Sequence, residues 1–472
     1  MKHSSPHPLL LLMSLMLMAS CRPSQNISQA ETLAQQARYL LLDNRIIHHL
    51  DNAELVVGQV QKHPANPLFV EDKNWEVRFD NLYGNIVYDE DNQEYRCWYS
   101  PFIVDHSAKG MSKADRDKAY HPPKDREMGI CYATSKDGIL WEKPELGLVE
   151  FEGNKQNNLV WRGPHGAGVF EDEQEQDPAK RFKTIFQGMS VSSSADGIHW
   201  AEAEDCEGVD VAGDTHNNAF WSPTLGKYVG ITRTWGKTDQ GRVRQVARIE
   251  SEDFKTWTKA EVILQGKGPN DQIYAMPVFF YGNVYLGLVA LYHKDSDRVW
   301  TELAWSADTK AWNRISPGTP LIPASEEELA YDYGCVYACA TPVFLEDEIR
   351  LYYGGSDWLH FGWRNGSLCL ATLRPDGFAG YEPKTSNAPA SITTKLLPYS
   401  GKEIQLTADV ETGGSIKLSV LNENGQEIAS ADPVSHSMTE GILTLNRSIQ
   451  EQAIQLRFEL TKARVYSFRL GW

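Results

Sequence analysis

Four aspartates recur at nearly regular intervals along the sequence and are candidates for acid–base or nucleophilic chemistry. Asp214 and Asp271 are 57 residues apart, Asp271 and Asp332 are 61 apart, and Asp80 precedes Asp214 by 134, or two intervals plus an insertion. Cleaving a glycosidic bond normally takes an acid for the leaving oxygen and a nucleophile or base for the anomeric carbon. We therefore predict catalytic aspartates here. Two alternatives stay open: Asp also forms turns and caps strands, and a ring of carboxylates also suits a divalent cation such as calcium.

Glu302 is a further candidate, for the role of general acid. It lies four residues before the serine of a repeated turn motif, where the other repeats have Cys131, Ser190 and Ala247. A general acid needs a raised pKa and hence partial burial. A glutamate at a position otherwise kept small therefore has either a catalytic task or a charged partner such as Arg248.

Polar and aromatic residues accompany these aspartates and also fill a glycine-rich stretch near residue 360. Such side chains can hydrogen-bond sugar hydroxyls, bind a sugar carboxylate or stack on a sugar ring. The alternative for the stretch near residue 360 is a simple wide loop. We predict that substrate is bound by Asn81, His165, His216, Asn217, Gln272, Tyr333, Trp358, His360 and Arg364.

A repeated element must position these residues, and the sequence contains one. The motif Ser-x-Asp-x-x-x-Trp occurs four times, with its tryptophans 59, 57 and 55 residues apart, and a degenerate copy ends at Phe378. The tryptophans are Trp141, Trp200, Trp257 and Trp312. The Ser and Asp of this motif suit a tight turn, so we predict a structural role for these aspartates. A period near 57 with alternating apolar strands predicts an all-β fold, a five-bladed β-propeller over residues 70–381.

The propeller explains why the candidate residues belong together. The first strand of each blade begins at one mouth of the central channel, where residues from all blades converge on one pocket. Asp80, Asp214, Asp271 and Asp332 fall near these strand starts. A charged insertion over 101–127 is long enough to predict a lid or rim beside that pocket.

The N-terminus is typical of an address signal. Residues 1–21 have a charged start, an apolar run too short to span a bilayer, and small residues before Cys21. This ending resembles a bacterial lipobox, which implies that Cys21 carries a lipid; a plain signal peptide is the alternative. Residues 22–69 then form an N-terminal arm with a short helix over 28–42.

A second domain follows the propeller. Residues 382–390 are typical of a linker, and from residue 391 apolar and polar residues alternate again, separated by turns. We predict a small C-terminal β-sandwich over 391–472.

Composition excludes some classes of protein. The formal net charge is −17 and aromatic residues make up 11% of the chain. The charge argues against nucleic-acid binding, and the aromatic content argues against a wholly disordered chain. The six cysteines after Cys21 lack metal or disulfide spacing, so we expect buried thiols. No second apolar segment is long enough for a membrane span, which leaves the lipid anchor as the predicted membrane contact.

The sequence resembles the five-bladed propeller glycosidases, in particular glycoside hydrolase family 32 and, more distantly, family 43. The resemblance rests on residues 75–99, the hairpin at 132–138 with 141–144, and residues 332–353. A β-sandwich after the propeller is also similar to family 32. The resemblance implies that Asp80, in Phe-Asp-Asn-Leu, is the nucleophile or base.

The sequence departs from family 32 at its other signatures. Asp80 stands in place of an Asn-Asp-Pro-Asn motif, residues 176–178 read Gln-Asp-Pro instead of Arg-Asp-Pro, and Ala275 occupies the position of the acid in Glu-Cys-Pro. The resemblance therefore implies the fold and Asp80, and does not imply fructan as substrate.

Three functions follow from these patterns. The first is a lipid-anchored glycoside hydrolase of the cell envelope, on the outer membrane, acting on polysaccharide-derived oligosaccharides. The second is a non-catalytic propeller that binds carbohydrate. The third is a lyase for uronic-acid polysaccharides, with His216 or His360 as base.

Overall fold

A computed structural model of the chain describes residues 1, 38–79, 81–239 and 241–471, and its regular structure is almost entirely β-strand. The predicted all-β class is therefore confirmed. The signal segment, Cys21, Asp80 and most of the helix predicted over 28–42 lie outside the described residues. Within the described part, no helix is long and apolar enough to cross a membrane.

The first five strands serve two different sheets. They are β1 (Arg38–Leu40), β2 (Ile47–Asp51), β3 (Ala53–Val57), β4 (Gln61–Lys62) and β5 (Phe69–Val70). Residues 38–40 are thus extended where the end of a helix was predicted, because they pair with the last strand of the chain. A short 3-10 helix, Asn44–Ile46, separates β1 from β2.

Five antiparallel meanders follow one another along the chain. Meander 1 contains β6 (Arg78–Phe79), β7 (Asn85–Asp89), β8 (Glu94–Tyr99), β9 (Pro101–Val104), β10 (Glu127–Ser135) and β11 (Leu159–Arg162). Meander 2 contains β12 (Gly168–Glu171), β13 (Phe182–Phe186), β14 (Ser190–Ser194) and β15 (Glu204–Asp205). Meander 3 contains β16 (Asn218–Ser222), β17 (Lys227–Thr238), β18 (Gly241–Ser251) and β19 (Glu261–Gln265).

Meanders 4 and 5 are joined in one sheet by a parallel bridge between Val299 and Cys335. Meander 4 contains β20 (Asp271–Ala275), β21 (Val278–Tyr281), β22 (Val284–His293), β23 (Arg298–Ser306) and β24 (Trp312–Arg314). Meander 5 contains β25 (Cys335–Ala338), β26 (Val343–Phe344), β27 (Ile349–Ser356) and β28 (Gly366–Leu373). Strands β4 and β5 complete meander 5 by pairing with β28.

The inner strands of the five meanders contact one another in a closed series. Strand β7 contacts β12, β12 contacts β16, and β16 contacts β21. Strand β21 meets β26 where the rings of Tyr281 and Phe344 stack with centroids 4.8 Å apart, and β26 contacts β7 again. The loops at the ends of these strands are therefore brought to a common centre.

The repeated Ser-x-Asp motif forms the turns that the sequence predicts. In one copy, Ser251 donates to Asp253, whose carboxylate accepts the backbone N–H groups of Lys255 and Thr256. These N–H groups, first that of Thr256, lower the pKa of Asp253 to about 2. The same contacts recur at the other three full copies of the motif, so the predicted structural role of these aspartates is confirmed.

The C-terminal part of the chain forms a separate ten-stranded sheet that also includes β1, β2 and β3. Its own strands are β29 (Ala379–Pro383), β30 (Ala390–Thr394), β31 (Leu397–Pro398), β32 (Ile404–Leu421), β33 (Glu427–Ser430), β34 (Met438–Ile442) and β35 (Ala453–Leu470). The predicted linker over 382–390 is therefore shorter than expected, because residues 382–383 belong to β29 and residue 390 begins β30. The alternating apolar side chains of β32 and β35 supply much of its buried core.

The six cysteines that follow residue 38 are buried free thiols, as expected. Cys335 and Cys339, four residues apart on an extended segment, both remain reduced.

Candidate functional site

One aromatic side chain from each meander reaches the common centre. Tyr83 comes from the loop before β7, His165 from the loop before β12, His216 from the loop before β16, Tyr274 from β20 and Tyr337 from β25. The ring of Tyr83 lies 5.2 Å from those of His165 and His216 and 6.4 Å from that of Tyr337, measured between centroids. Tyr337 lies 5.2 Å from Tyr274. We call these five residues, with His360, the inner cluster.

An unusual backbone turn places Tyr83 in the inner cluster. Leu82 and Tyr83 have φ angles of 60° and 46°, in the left-handed region that non-glycine residues rarely adopt. Such conformations persist where surrounding contacts hold them and are concentrated at functional sites. Here Asn81 donates a hydrogen bond of 2.7 Å to the Tyr83 hydroxyl, and Tyr83 is 2% exposed.

His216 is held as a neutral imidazole. Its Nε2 lies 3.1 Å from Oδ1 of Asn85, and the side chain is buried against Tyr83. Burial lowers the pKa of His216 to about 3, and the nearby His165 acts in the same direction. His165 itself stacks on Phe102 of β9, with ring centroids 5.5 Å apart.

His360 is neutral for a different combination of reasons. It lies in the loop between β27 and β28, with Nδ1 3.1 Å from the hydroxyl of Tyr337 and its ring 4.8 Å from that of Tyr274. Burial first, and then the positive charges of Arg364, Arg244, Arg233 and Arg78, hold the pKa of His360 well below its usual range. The surroundings of the inner cluster are therefore cationic, in a chain whose net charge is −17.

Two of these arginines stand against Tyr274. The guanidinium carbon of Arg233 lies 4.2 Å, and that of Arg244 4.9 Å, from the centroid of its ring. Arg233 also donates to the Tyr274 carbonyl oxygen at 2.8 Å. Gln272, predicted to bind substrate, accepts from Arg244 at 3.0 Å and so holds that guanidinium in place.

Arg364 connects the inner cluster to Asn81. Its guanidinium donates to Oδ1 of Asn81 at 3.0 Å and contacts Sγ of Cys335 at 3.0 Å. Asn81 and Arg364 are both buried. The predicted substrate residues Asn81, His165, His216, His360 and Arg364 are therefore brought together, and Gln272 joins them through Arg244.

The predicted carboxylates occupy different surroundings. The side chain of Asp214 is 52% exposed at the edge of the inner cluster, with Oδ2 3.4 Å from Nη1 of Arg233. The side chain of Asp271 is 22% exposed and lies 3.6 Å from Arg314. That same arginine forms a 2.6 Å ion pair with the buried Glu302. Glu302 thus has a charged partner, Arg314 rather than Arg248.

The carboxylate of Asp332 is surrounded by hydrogen-bond and ion-pair partners. Its carboxylate accepts from Lys62 at 2.6 Å, from the Tyr353 hydroxyl at 2.9 Å and from Ser325 at 2.5 Å, and it is fully buried. Burying a charge is tolerated when it is paired and hydrogen-bonded in this way. Among the contacts of the described residues, neither Asp332 nor Glu302 touches the inner cluster. A catalytic ring that contains all four predicted aspartates and Glu302 is therefore not assembled by these side chains.

Three predicted substrate residues have structural contacts instead. Asn217 donates to the carbonyl oxygens of Gly166 and Gly213 and accepts from Thr232, which ties meander 2 to meander 3. Tyr333 and Trp358 pack on each other with ring centroids 5.9 Å apart. Trp358 is 4% exposed, and among the described residues its ring contact is with Tyr333.

The charged insertion over 101–127 packs against the loop between β27 and β28. It contains β9 and one short helix, α1 (Lys113–Arg116). Arg116 is buried and donates to Asp357 at 2.7 Å and to the Trp363 carbonyl oxygen at 3.1 Å. Tyr120 lies 5.1 Å from the Trp363 ring. The insertion thus covers one side of the site.

In the part of the chain that the structure describes, no group of three or more His, Cys, Asp or Glu side chains is arranged to hold a metal ion. The side chains of the inner cluster are tyrosines and histidines rather than the oxygen ligands that calcium prefers.

Sequence reasoning missed Tyr83, Tyr274, Tyr337, Arg233 and Arg244. Tyr83 lies in the loop before the inner strand β7, and Tyr274 and Tyr337 lie in β20 and β25, the strands that precede the inner strands β21 and β26. Tyr274 and Tyr337 are 63 residues apart, close to the interval used for the aspartates, so the same search extended to aromatic residues finds them. Arg233 and Arg244 lie in the outer part of the hairpin formed by β17 and β18. The only signal for them in the sequence is the length of that hairpin.

Comparison with known proteins finds solved structures of low identity and low TM-score. No model of a protein family matches the chain, and no curated protein matches it. A solved glycosyl hydrolase from Bacteroides ovatus is 14% identical, with a TM-score of 0.46 over 70% of this chain and 98% of that one. The catalytic domain of the GH62 α-L-arabinofuranosidase of Coprinopsis cinerea is 12% identical, with a TM-score of 0.45 over 67% and 97%.

A third structure belongs to work on the GH130 family of mannoside phosphorylases, which contains glycoside hydrolases that target β-1,2 mannosidic linkages in Candida mannan. It is 14% identical, with a TM-score of 0.45 over 68% of this chain and 95% of that one. At these identities and TM-scores the similarity says nothing of the reaction or of individual site residues.

Proposed function

We propose that this chain is a glycoside hydrolase that cleaves a glycosidic bond in polysaccharide-derived oligosaccharides at the inner cluster. The observation that carries the proposal is the convergence of one aromatic side chain from each of the five meanders on a single buried centre. Aromatic rings combined with a few fixed polar groups are suited to binding small polar ligands such as sugars.

The proposal includes the architecture. The five meanders are the five blades of a β-propeller, and the C-terminal sheet is its β-sandwich. The closed series of contacts among the inner strands supports this interpretation. The pairing of β4 and β5 with β28 supports it too, because an N-terminal strand that completes the last blade closes such a ring.

Asp80 is the proposed nucleophile or base. Its neighbour Asn81 is buried beside Tyr83 and accepts from Arg364, so the backbone at this point reaches the inner cluster. Asp214 is the proposed second carboxyl group, since it is half-exposed at the edge of the same cluster. The separation of the two carboxyl groups would set retention or inversion.

A lyase for uronic-acid glycans is the second candidate, and a specific pair favours it. In β-elimination a base removes the proton next to the carboxylate, the bond to the leaving oxygen breaks, and that oxygen takes a proton from an acid. A neutral His360 beside the Tyr337 hydroxyl can serve as base and acid, and the surrounding arginines neutralise the carboxylate.

One assay separates these reactions from simple binding. The protein is incubated with a panel of plant and algal oligosaccharides while reducing ends and ultraviolet absorbance are both followed. Reducing ends without new absorbance support the hydrolase, and absorbance from an unsaturated product supports the lyase. Binding with neither signal contradicts both and leaves the carbohydrate-binding propeller.

The cellular location of the protein is also a proposal. Lipidation at Cys21 anchors the chain in the cell envelope, on the outer membrane, and Cys21→Ala releases it from the membrane fraction. Retention of that variant in washed membranes would contradict the anchor.

A further inference from the structure

The hairpin of β17 and β18 extends beyond its sheet. The two strands pair continuously from Tyr228 and Ser251 to Thr238 and Gly241. The neighbouring strand β16 pairs with β17 only as far as Ile231, and β19 pairs with β18 only from Gln245. Residues 232–238 and 241–244 therefore form a two-stranded extension, whose outer edges pair with no further strand of meander 3.

One face of this extension is cationic. Side chains alternate along a strand, and directly paired residues share a face. Trp235 is paired with Arg244 and Lys237 with Arg242, and Arg233 precedes Trp235 on the same face. We call Trp235, Lys237, Arg242 and Arg244 the hairpin face.

The charges of the hairpin face lack internal counterions. The guanidinium carbons of Arg242 and Arg244 lie 4.6 and 5.0 Å from the centroid of Trp235, and that of Arg233 lies at 5.8 Å. Within the described residues, Asp214 pairs with Arg233, whereas no acidic group lies within 4 Å of Arg242 or Arg244. Nε of Arg244 is buried there without a hydrogen-bond partner. Like charges gathered on one ring repel one another unless an anion joins them.

The hairpin face leads into the inner cluster. Arg244 lies between Trp235 and Tyr274, and its guanidinium is 5.9 Å from the ring of Phe361. Phe361 is 59% exposed and follows His360 in the chain. A ligand that lies along the hairpin face would therefore meet an exposed aromatic ring, an arginine and then the buried cluster.

We propose that the hairpin face binds the oxyanion groups, carboxylate or sulfate, of an acidic oligosaccharide whose end enters the inner cluster. This assignment of the substrate class rests on the proposed function. Guanidinium groups match the geometry of carboxylate and sulfate oxygens and bind them in pairs of hydrogen bonds.

The binding test uses three probes of matched length: oligogalacturonate for carboxylate, a carrageenan-derived oligosaccharide for sulfate, and a dextran-derived oligosaccharide as neutral reference. Titration of the full chain is followed by calorimetry at low and high salt. We expect one anionic probe to bind at least about tenfold more tightly than the neutral one. The difference should shrink at high salt, because screening weakens exposed charge pairs. Equal affinity for all three probes, or affinity independent of salt, would overturn the proposal.

Variants separate this site from the surface charge in general. Lys237→Gln with Arg242→Gln removes two exposed charges of the hairpin face, and Lys417→Gln with Arg447→Gln removes two exposed charges of the C-terminal sheet. We expect the first pair to weaken binding of the preferred anionic probe by about tenfold or more and the second to leave it unchanged. Equal effects of the two pairs would refute the hairpin face.

The two proposals fail in different ways. Anionic binding that depends on Lys237 and Arg242 without turnover of any probe would retain the hairpin face and refute the enzyme. Turnover of a neutral oligosaccharide at the same rate in both pairs of variants would retain the enzyme and refute the hairpin face.

Discussion

The hydroxyl of Tyr337 lies 3.1 Å from Nδ1 of His360, and both side chains are buried beside Tyr274. Burial raises the pKa of Tyr337 well above its usual range, and burial with four arginines lowers that of His360. The pair therefore stays neutral from mildly acidic to mildly basic pH. In this neutral pair the Tyr337 hydroxyl can donate a proton, and a ring nitrogen of His360 can accept one.

This pair gives the first prediction. For the lyase reaction, we expect His360→Asn and Tyr337→Phe each to lower kcat by about 100-fold or more, with little effect on KM, because each removes one proton-transfer group of that reaction. Because the pKa of His360 is lowered, its neutral form persists below pH 6.5, so wild-type activity should not show the loss typical of an exposed histidine. The pH dependence of kcat measures this.

The control for the first prediction is Tyr352→Phe. Tyr352 is also buried in meander 5, but its hydroxyl donates to the Gly138 carbonyl oxygen away from the inner cluster. Normal kcat and an unchanged pH profile in His360→Asn and Tyr337→Phe would show that the two residues have a structural role and take no part in proton transfer.

The second prediction concerns the proposed carboxyl groups. Asp80→Asn and Asp214→Asn remove a charge with almost no change in shape, and we expect each to lower kcat by about 100-fold or more. Asp347→Asn, at an exposed turn, is the matched control and should behave as wild type. Near-normal turnover in both site variants would remove the assignment of both aspartates.

The third prediction concerns the buried ion pair between Lys62 and Asp332. Lys62→Met leaves the fully buried Asp332 without its cation and should lower the free energy of unfolding by about 3 kcal/mol. The double variant Lys62→Met with Asp332→Asn should recover much of this loss, since no unpaired charge remains. Urea denaturation measures both. Additive losses in the double variant would show that the two residues do not depend on each other.

The fourth prediction is a pH effect on stability. Oε1 of Glu71 accepts the N–H groups of Phe79 and Gly366, at 2.8 and 2.6 Å, and burial raises its pKa to about 7. The folded chain therefore keeps this proton between about pH 4.5 and 7 while the unfolded chain releases it, so stability falls as pH rises through that range. Glu71→Gln stays neutral and should be more stable than wild type at pH 8, by roughly 3 kcal/mol, with little difference at pH 4.5.

Urea denaturation at the two pH values tests the fourth prediction, with the exposed Glu423→Gln as reference. An advantage of Glu71→Gln of the same size at both pH values would mean that ionisation of Glu71 is not its source.

The repeat was predictable because its signals are local. Each Ser-x-Asp turn is built within seven residues, so its hydrogen bonds can be inferred from the sequence, and the period then indicates a series of similar sheets. The all-β class and the buried thiols follow from patterns of the same range.

The site was harder to predict because its charges depend on contacts distant in sequence. Asp332 looks like the other aspartates until Lys62, 270 residues earlier, is seen to neutralise it. Glu302 and Asp271 share Arg314, which no interval in the sequence indicates. Conversely, Tyr83 reaches the centre only because two successive residues adopt positive φ angles, and propensity disfavours that conformation.

The segment from Arg38 to Val70 takes part in both halves of the molecule. Its first three strands pair with strands that follow residue 378, and its last two pair with β28. A ribosome makes this segment before any of the five meanders is complete, yet all of its strand partners are made more than 290 residues later. These pairings have high contact order and require closure of a very long loop, which slows folding. We therefore expect the segment from Arg38 to Val70 to become ordered only after the C-terminal strands have been synthesised.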